Sequence, residues 1–371
     1  MGKKHNILIV TSSLTIGGAE TVIANLCKHI NRDIFNVSVC HLKESGETGQ
    51  ALLDAGYDVV GVQRFVHKAA NYLTFLKLRK IIKEKQIHVV HTHTTYSLID
   101  SALCKLSLPR LKLVHTFHFG NYPHYAKKYL LMEKMLWRVP DRLVAVGAEQ
   151  GKVIQRTHGI PNGRIGTVWN GVEHRGPAPD PSIRERFVSN GKAIIGTIAT
   201  LIEQKGIIHL LDVASALKAK GKRCLFLVVG DGPLRKDLEN KRHELDLDDM
   251  VFFLGWVKDA ASRVLPIFDI FFQPSLWEAM SIVILEAMAC GKPVVATSVG
   301  DNKLIIEEGK TGFLVEPKDV NKMVSALERL LDQQELGEGF GRNAIQKYYA
   351  DFSAEMMARR YENLYMEVLN Y

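Results

Sequence analysis

Apolar residues recur along this chain in two alternating rhythms. Short, nearly continuous apolar runs have the length of buried strands, while the stretches between them repeat apolar positions every three or four residues, as amphipathic helices do. Strands are expected at HNILIVTSS, NVSVCHL, DVVGV, IHVVHTH, KLVHTFH and RLVAVG in the first half, and at AIIGTIATL, CLFLVVG, VFFLGW, DIFFQP, PVVATS and GFLVE in the second. Helical patterns run from Ala19 to His29, Tyr72 to Lys85 and Ile208 to Lys218, with a last helix from about Ala354 to Leu369. This alternation predicts α/β units with parallel sheets and right-handed crossovers. No period of 20 to 50 residues repeats, which argues against a solenoid.

At 371 residues the chain is long enough for two cores. The weakest stretch for regular structure is Val172 to Lys192, with three prolines within five residues, and it reads as a linker. The expected organisation is therefore an N-terminal domain over 1–172 and a C-terminal domain over 190–350. The segment 354–371, which no strand follows, is expected to pack back on the first. Two such Rossmann-like domains would face each other across a cleft, a usual place for a ligand.

Composition narrows the classes. No apolar run approaches the roughly 20 residues of a membrane span, and MGKKHNILIVTSS reads as a first strand rather than a signal peptide. Asn6 stands where a myristoylation signal wants Ser or Thr. Five cysteines without a C-x-x-C pair argue against a disulfide framework or zinc site and for a cytoplasmic protein with reduced thiols. Charge is uneven: residues 1–170 carry 23 Lys and Arg against 11 Asp and Glu, whereas 171–371 carry 25 against 29. A basic half suits an anionic membrane face or a phosphorylated acceptor; no nucleic-acid motif accompanies it.

The run QPSLWEAMSIVILEAMACGKPVVAT holds the most informative chemistry. It reads as strand, turn, short helix and strand, with Ser281 as N-cap, Ile282 opening the helix, Gly291 just past its end and Pro293 preventing continuation. Glu278 falls in the turn and Glu286 about a turn and a half into the helix, so both can face one crevice at the strand ends. The helix N-terminus suits a phosphate. Spacing alone equally allows Glu278 to be a solvated loop residue and Glu286 the polar side of an ordinary helix. Other strand ends carry SLTIGGAE, where Gly17 and Gly18 allow a close anion or simply a tight turn, and TLIEQKG, where Lys205 can neutralise a diphosphate or stand in solvent. VVGDGPLRKDLE places Gly230 and Gly232 in a turn before a helix, and FLGWVKD offers Gly255, Trp256 and Val257 to a base. Eleven of fourteen histidines precede residue 171. His91 and His93 share a strand face, and with His115 and His118 they suit hydrogen bonding in a polar cleft, a structural role, or, less readily, a metal.

GGAE, THTTYS, HTFH, WNGVE, QKG, GDGP, FLG and PS-x-x-E-(x7)-E-A-M-A-x-G-x-P-V-V, in that order over nearly the whole chain, resemble the retaining glycosyltransferases of family 4. The resemblance implies the GT-B architecture of two Rossmann-like domains, a nucleotide-sugar donor that is UDP- or GDP-linked, no cofactor or catalytic metal, and transfer with retention. It implies a glycan or lipid-linked acceptor held by the N-terminal domain, in polysaccharide or glycolipid synthesis. Carried to matching positions, it gives Glu286 to the ribose and Glu278 to the donor sugar near its reacting carbon. Lys205 goes to the diphosphate, His118 to the sugar, Gly17 and Gly18 to phosphate or acceptor, and Gly255 and Val257 to the base. Two positions depart from the pattern: Thr200 replaces an arginine, and GDNKL, with Asp301 and Leu304, replaces G-G-x-x-E. These departures leave open an altered donor, weak turnover, or a nucleotide-sugar binder without activity, and the alternative enzyme is a GT-B relative that isomerises or hydrolyses a sugar nucleotide.

Overall fold

The computed structural model describes residues 4–15, 17–62, 65–66, 69–70, 73–118, 126–174, 176–188 and 191–370. Two compact units emerge: Met1–Val172 with Ala354–Tyr371, and Glu173–Ser353. The first contains β1 (His5–Ser13), β2 (Phe35–Glu44), β3 (Asp58–Gly61), the hairpin β4 (Phe65–Val66) and β5 (Ala69–Ala70), β6 (Val89–Thr92), β7 (Lys112–Phe117), β8 (Arg142–Ala145) and β9 (Ile165–Thr167). Its main sheet runs β3-β2-β1-β6-β7-β8-β9, with every pair parallel. The second contains β10 (Ala193–Ile198), β11 (Cys224–Val229), β12 (Val251–Gly255), β13 (Ile270–Gln273), β14 (Val294–Thr297) and β15 (Gly312–Val315), in the parallel order β12-β11-β10-β13-β14-β15.

The twelve expected strands are all present. β9 was not foreseen, because IGT is too short to carry a pattern. β11 is fully buried along its length, which is why it reads as a continuous apolar run rather than an alternation; β6 is as buried but carries His91 and Thr92 into the interior. One core cluster joins Leu8, Val10, Leu78, Leu98 and Leu113 in the first unit, and another joins Phe226, Val228, Phe272, Leu211 and Leu327 in the second. Each strand order reverses once, between β1 and β6 and between β10 and β13. A parallel sheet opens a crevice at such a reversal, beyond the carboxyl ends of the two strands.

The proline-rich stretch is not a bare linker. Among its described residues it holds a helix, Pro181–Val188, whose first amides, of Ser182 and Ile183, bond the Asp180 carboxylate while Arg263 pairs with the same group. Pro181 suits a first helical turn, where its missing N–H is no loss, and the buried Phe187 lies 5.0 Å from Phe252. Arg175, Ser189 and Asn190 of that stretch, like Met1 and Gly2, lie outside the described residues. The last helix, Ala354–Asn370, belongs to the first unit, entered where the Ala354 amide donates to the Val172 carbonyl.

Candidate active site

The reversal in the second unit brings together the end of β10 and the end of β13. After β10 the chain makes a short turn, Glu203–Lys205, and passes through Gly206 at φ 61° into the helix Ile207–Ala219. A Cβ on Gly206 would lie 2.1 Å from the Pro274 carbonyl oxygen, so only glycine lets this turn press on the end of β13. The Leu276 amide closes the approach by donating to the Gln204 carbonyl at 2.7 Å. Lys205 is thereby carried to Glu278, its Nζ 2.6 Å from Oε1.

Glu278 is held from several sides. Its Oε1 also accepts from Ser275 Oγ at 2.8 Å and Gln273 Nε2 at 3.0 Å, and its Oε2 accepts from Gln204 Nε2 at 3.3 Å. Gln273 is itself oriented, because its Oε1 accepts from Ser281 Oγ at 2.9 Å. Ser281 is the N-cap of the helix Ile282–Ala289 and accepts from the Ile284 amide, and Gly291 follows at φ 66°. From below, Gly300 at φ 52° sits where a Cβ would be 2.3 Å from the Glu278 carbonyl. The carboxylate is only 9% exposed, so the solvated-loop alternative does not hold for Glu278. Glu286 is half-buried on the second turn of the capped helix. Such an arrangement, a lysine and a fixed carboxylate beside an N-capped helix, matches a ligand that carries a diphosphate on one side and hydroxyls or developing positive charge on the other.

The remaining expected residues of this unit frame the same strand ends. Gly230, at φ 125°, donates its N–H to the Gly255 carbonyl at 2.8 Å; Cβ atoms on Gly230 and Gly232 would meet the Ala199 and Leu201 carbonyls at 2.0 and 2.6 Å. These two glycines therefore serve backbone packing against the 199–201 turn. Gly255 adopts φ 73°, Trp256 is exposed and Val257 half-buried. Thr200 lies in the turn where the resemblance wants arginine. Lys303 and Leu304 are exposed on the short helix Asn302–Ile305.

Gly17, Gly18 and His118 belong to the first unit. Gly17 caps the helix Gly18–His29 in extended backbone (φ 177°), with its carbonyl accepting from Thr21; a Cβ there would meet only the tip of Glu20, so the backbone does not demand glycine. At the reversal between β1 and β6, Ser12 and Thr94 hydroxyls bond at 2.8 Å. Beside them stand stacked histidines: His93 Nδ1 lies 2.7 Å from His118 Nε2, and the His91 ring packs 4.1 Å from that of His93. His91 is anchored in turn by the Tyr365 hydroxyl at Nδ1 and the Thr116 hydroxyl at Nε2, both at 2.7 Å. Burial, reinforced by neighbouring histidines, pushes His91 and His93 well below the usual imidazole range and His118 down to about 3; burial takes His115 to about 4, although Glu133 opposes it. His93 Nε2 has no partner among the described atoms. A buried bare lone pair is the smaller penalty than a buried orphan N–H, so His93 Nδ1–H donates and His118 keeps its own proton on Nδ1. Among the described residues no group of three or more His, Cys, Asp or Glu is placed to hold a metal ion.

Gln204, Gln273 and Ser275 were missed from sequence; the polar pair at the end of an otherwise apolar IFFQPS was the available signal. Tyr361 and Tyr365 gave none beyond helical periodicity.

Comparison with known proteins falls in line with this division. Residues 16–175 match the model of Glycosyltransferase Family 4, and residues 180–347 match Glycosyl transferases group 1. The Escherichia coli UDP-Gal:alpha-D-GlcNAc-diphosphoundecaprenol alpha-1,3-galactosyltransferase is 24% identical over 95% of both chains. The Bacillus anthracis N-acetyl-alpha-D-glucosaminyl L-malate synthase is 27% identical, over 79% of this chain and 78% of that protein. Among solved structures, Anabaena Alr3699/HepE in complex with UDP and glucose superimposes with a TM-score of 0.85, at 21% identity over 98% of this chain and all of that one. Sucrose-phosphate synthase from Thermosynechococcus elongatus does so with 0.80, at 18% identity over 99% of this chain and all of that one.

Proposed function

The chain belongs to the group 1, family 4 glycosyltransferases of GT-B fold, and from that premise we infer that it moves a hexosyl group, with retention, from a UDP- or GDP-linked sugar to a glycan or lipid-linked acceptor. The observation that carries the reading is the Lys205–Glu278 pair at the strand reversal of the second unit. Departure of a nucleoside diphosphate puts negative charge on phosphate oxygens and positive charge at the anomeric carbon. Lys205 and the capped helix N-terminus at Ser281 answer the first, and the Glu278 carboxylate answers the second. Donor entry exchanges the Nζ–carboxylate contact for an Nζ–phosphate contact, while Ser275 and Gln273 keep Glu278 in place. Glu286 is assigned to the ribose, Gly255 and Val257 to the base, and His118, through its Nδ1–H, to a sugar hydroxyl. The reaction needs no divalent metal on this reading, and the product enters polysaccharide or glycolipid assembly at the inner face of the cell membrane.

A screen of UDP-, GDP- and ADP-sugars for hydrolysis and transfer, run in excess EDTA, tests this. Lys205→Ala and Glu278→Ala are each expected to lower kcat by about a hundredfold or more. Turnover retained in both variants, or none with any donor in the parent, defeats the proposal. The second of those outcomes, combined with a nucleotide-induced rise in melting temperature, supports instead a nucleotide-sugar binder, the reading that Thr200 and the exposed Leu304 favour.

A further inference from the structure

Thirteen large apolar side chains are exposed among the described residues, and six of them, Leu73, Leu76, Leu103, Leu106, Leu131 and Met135, cluster in one region of the first unit. They sit on or beside three consecutive helices, Thr74–Glu84, Thr95–Ser107 and Lys127–Leu136, which pack side by side. Three bonds fix the register of the first two: Thr74 Oγ1 to Asp100 at 2.8 Å, Cys104 Sγ to the Phe75 carbonyl at 3.3 Å and Arg79 Nε to Ser107 at 3.0 Å. Their sequence separations bracket that of Leu76 and Leu103, so these two leucines come alongside. On the third helix Leu131 and Met135, 59 and 63% exposed, are one turn apart and share a face. The inward faces already supply Leu78, Ile82, Leu98 and Ala102 to the core, so the outer row is not overflow from it.

The charge around these residues is nearly of one sign. Residues 73–85, 95–110 and 126–138 carry eleven Lys and Arg against three acids, and of those cations Lys85 and Lys105 are paired with Asp58 and Asp141 from neighbouring segments. Two of the acids, Asp100 and Glu133, are buried and receive the Thr74 and Thr95 hydroxyls; Glu84 alone is exposed. A second copy of this chain would bring the same positive face and be repelled, and nucleic acid has no use for six exposed aliphatic groups. Apolar side chains interleaved with lysines fit the headgroup zone of an anionic bilayer.

We propose that this three-helix face docks the first unit on a membrane rich in anionic lipid, the leucines and Met135 entering the headgroup layer and Lys77, Lys83, Lys127, Lys128 and Lys134 meeting lipid phosphates. It deepens the proposed function, on which it rests only for the reason such a surface is useful: a lipid-linked acceptor is then presented in two dimensions rather than three.

Co-sedimentation of the full chain with vesicles of phosphatidylglycerol and phosphatidylcholine, or of phosphatidylcholine alone, tests the docking. Binding to the anionic vesicles, release at about 0.5 M salt and little binding to the neutral ones are expected. Each of Lys127→Gln, Lys128→Gln and Lys134→Gln is expected to weaken the partition roughly fivefold. The pair Leu131→Ser and Met135→Ser is expected to weaken it further, with melting temperature and donor hydrolysis unchanged. No binding to anionic vesicles, or variants that bind as the parent does, overturns the proposal. So does concentration-dependent dimerisation abolished by the same substitutions, which would assign the face to self-association. Vesicle binding without donor turnover would instead defeat the transferase reading and leave the docking standing.

Discussion

Gly206 decides whether Lys205 can reach Glu278. With φ at 61° and a carbonyl oxygen 2.1 Å from where a Cβ would stand, alanine there meets both backbone strain and a clash with main chain. Gly206→Ala is expected to lower stability by about 2 kcal/mol or more and to reduce kcat, because relief of the clash swings the 203–205 turn away from β13. Urea unfolding and donor turnover measured on the same preparation check it; unchanged stability refutes the packing argument. At this scale the site was half legible. Lys205 and Glu278 stood out in recognisable motifs, and the structure joins them directly. Ser275 and Gln273 were hidden, since one glutamine after Ile270-Phe271-Phe272 has no periodicity to mark it, and only burial of Glu278 makes its donors matter. Gly230 and Gly232 were legible as glycines but not for their reason, which is close approach to the carbonyls of Ala199 and Leu201.

The helix Ile282–Ala289 illustrates the scale of the element. It is apolar apart from Glu286, too short to be stable on propensity, and is held by burial of Ile284, Leu285 and Met288 and by its cap. Ser281→Ala removes the cap and the restraint on Gln273 together, so a loss of about 1–2 kcal/mol is expected, accompanied by a rise in KM for the donor as Glu278 loses an oriented neighbour. A chemical-denaturation midpoint equal to that of the parent would show that the Ser281 hydroxyl carries neither role. Boundaries of this helix were readable because Ser281, Gly291 and Pro293 are local signals with local causes. Strand order was not readable: nothing in residues 193–198 says that β10 will lie between β11 and β13, although that placement creates the crevice. The helix Pro181–Val188 was missed for the opposite reason, its prolines reading as a break when one of them opens a helix and Phe187 anchors it.

Across the whole molecule, acidity should act on the first unit before the second. His91, His93, His115 and His118 all lie below their ordinary value of 6.5 in the folded chain, the last two at about 4 and about 3. Above pH 6.5 folded and unfolded forms are both neutral at these rings. As pH falls below 6.5 the unfolded chain takes up protons that the fold refuses, so each histidine lowers stability by about 1.4 kcal/mol per pH unit until its own folded ring protonates, about pH 4 for His115 and about pH 3 for His118. Carboxylates with lowered values, such as Asp58, act only below that window. The melting temperature is therefore expected to drop between pH 7.5 and pH 5, and a flat profile over that range would contradict the burial of the ring stack. Histidine lopsidedness was plain in the sequence, but the anchoring of His91 by Tyr365 needed the terminal helix to return from 274 residues away. That return has a consequence for synthesis. A ribosome adds every residue of the second unit before it adds the helix that closes the first, so the earlier-made unit stays open, with His91 and the neighbouring core uncovered, until the later-made one has been synthesised. A stop codon at Ala354 would thus spare the second unit and strand the half that was translated first.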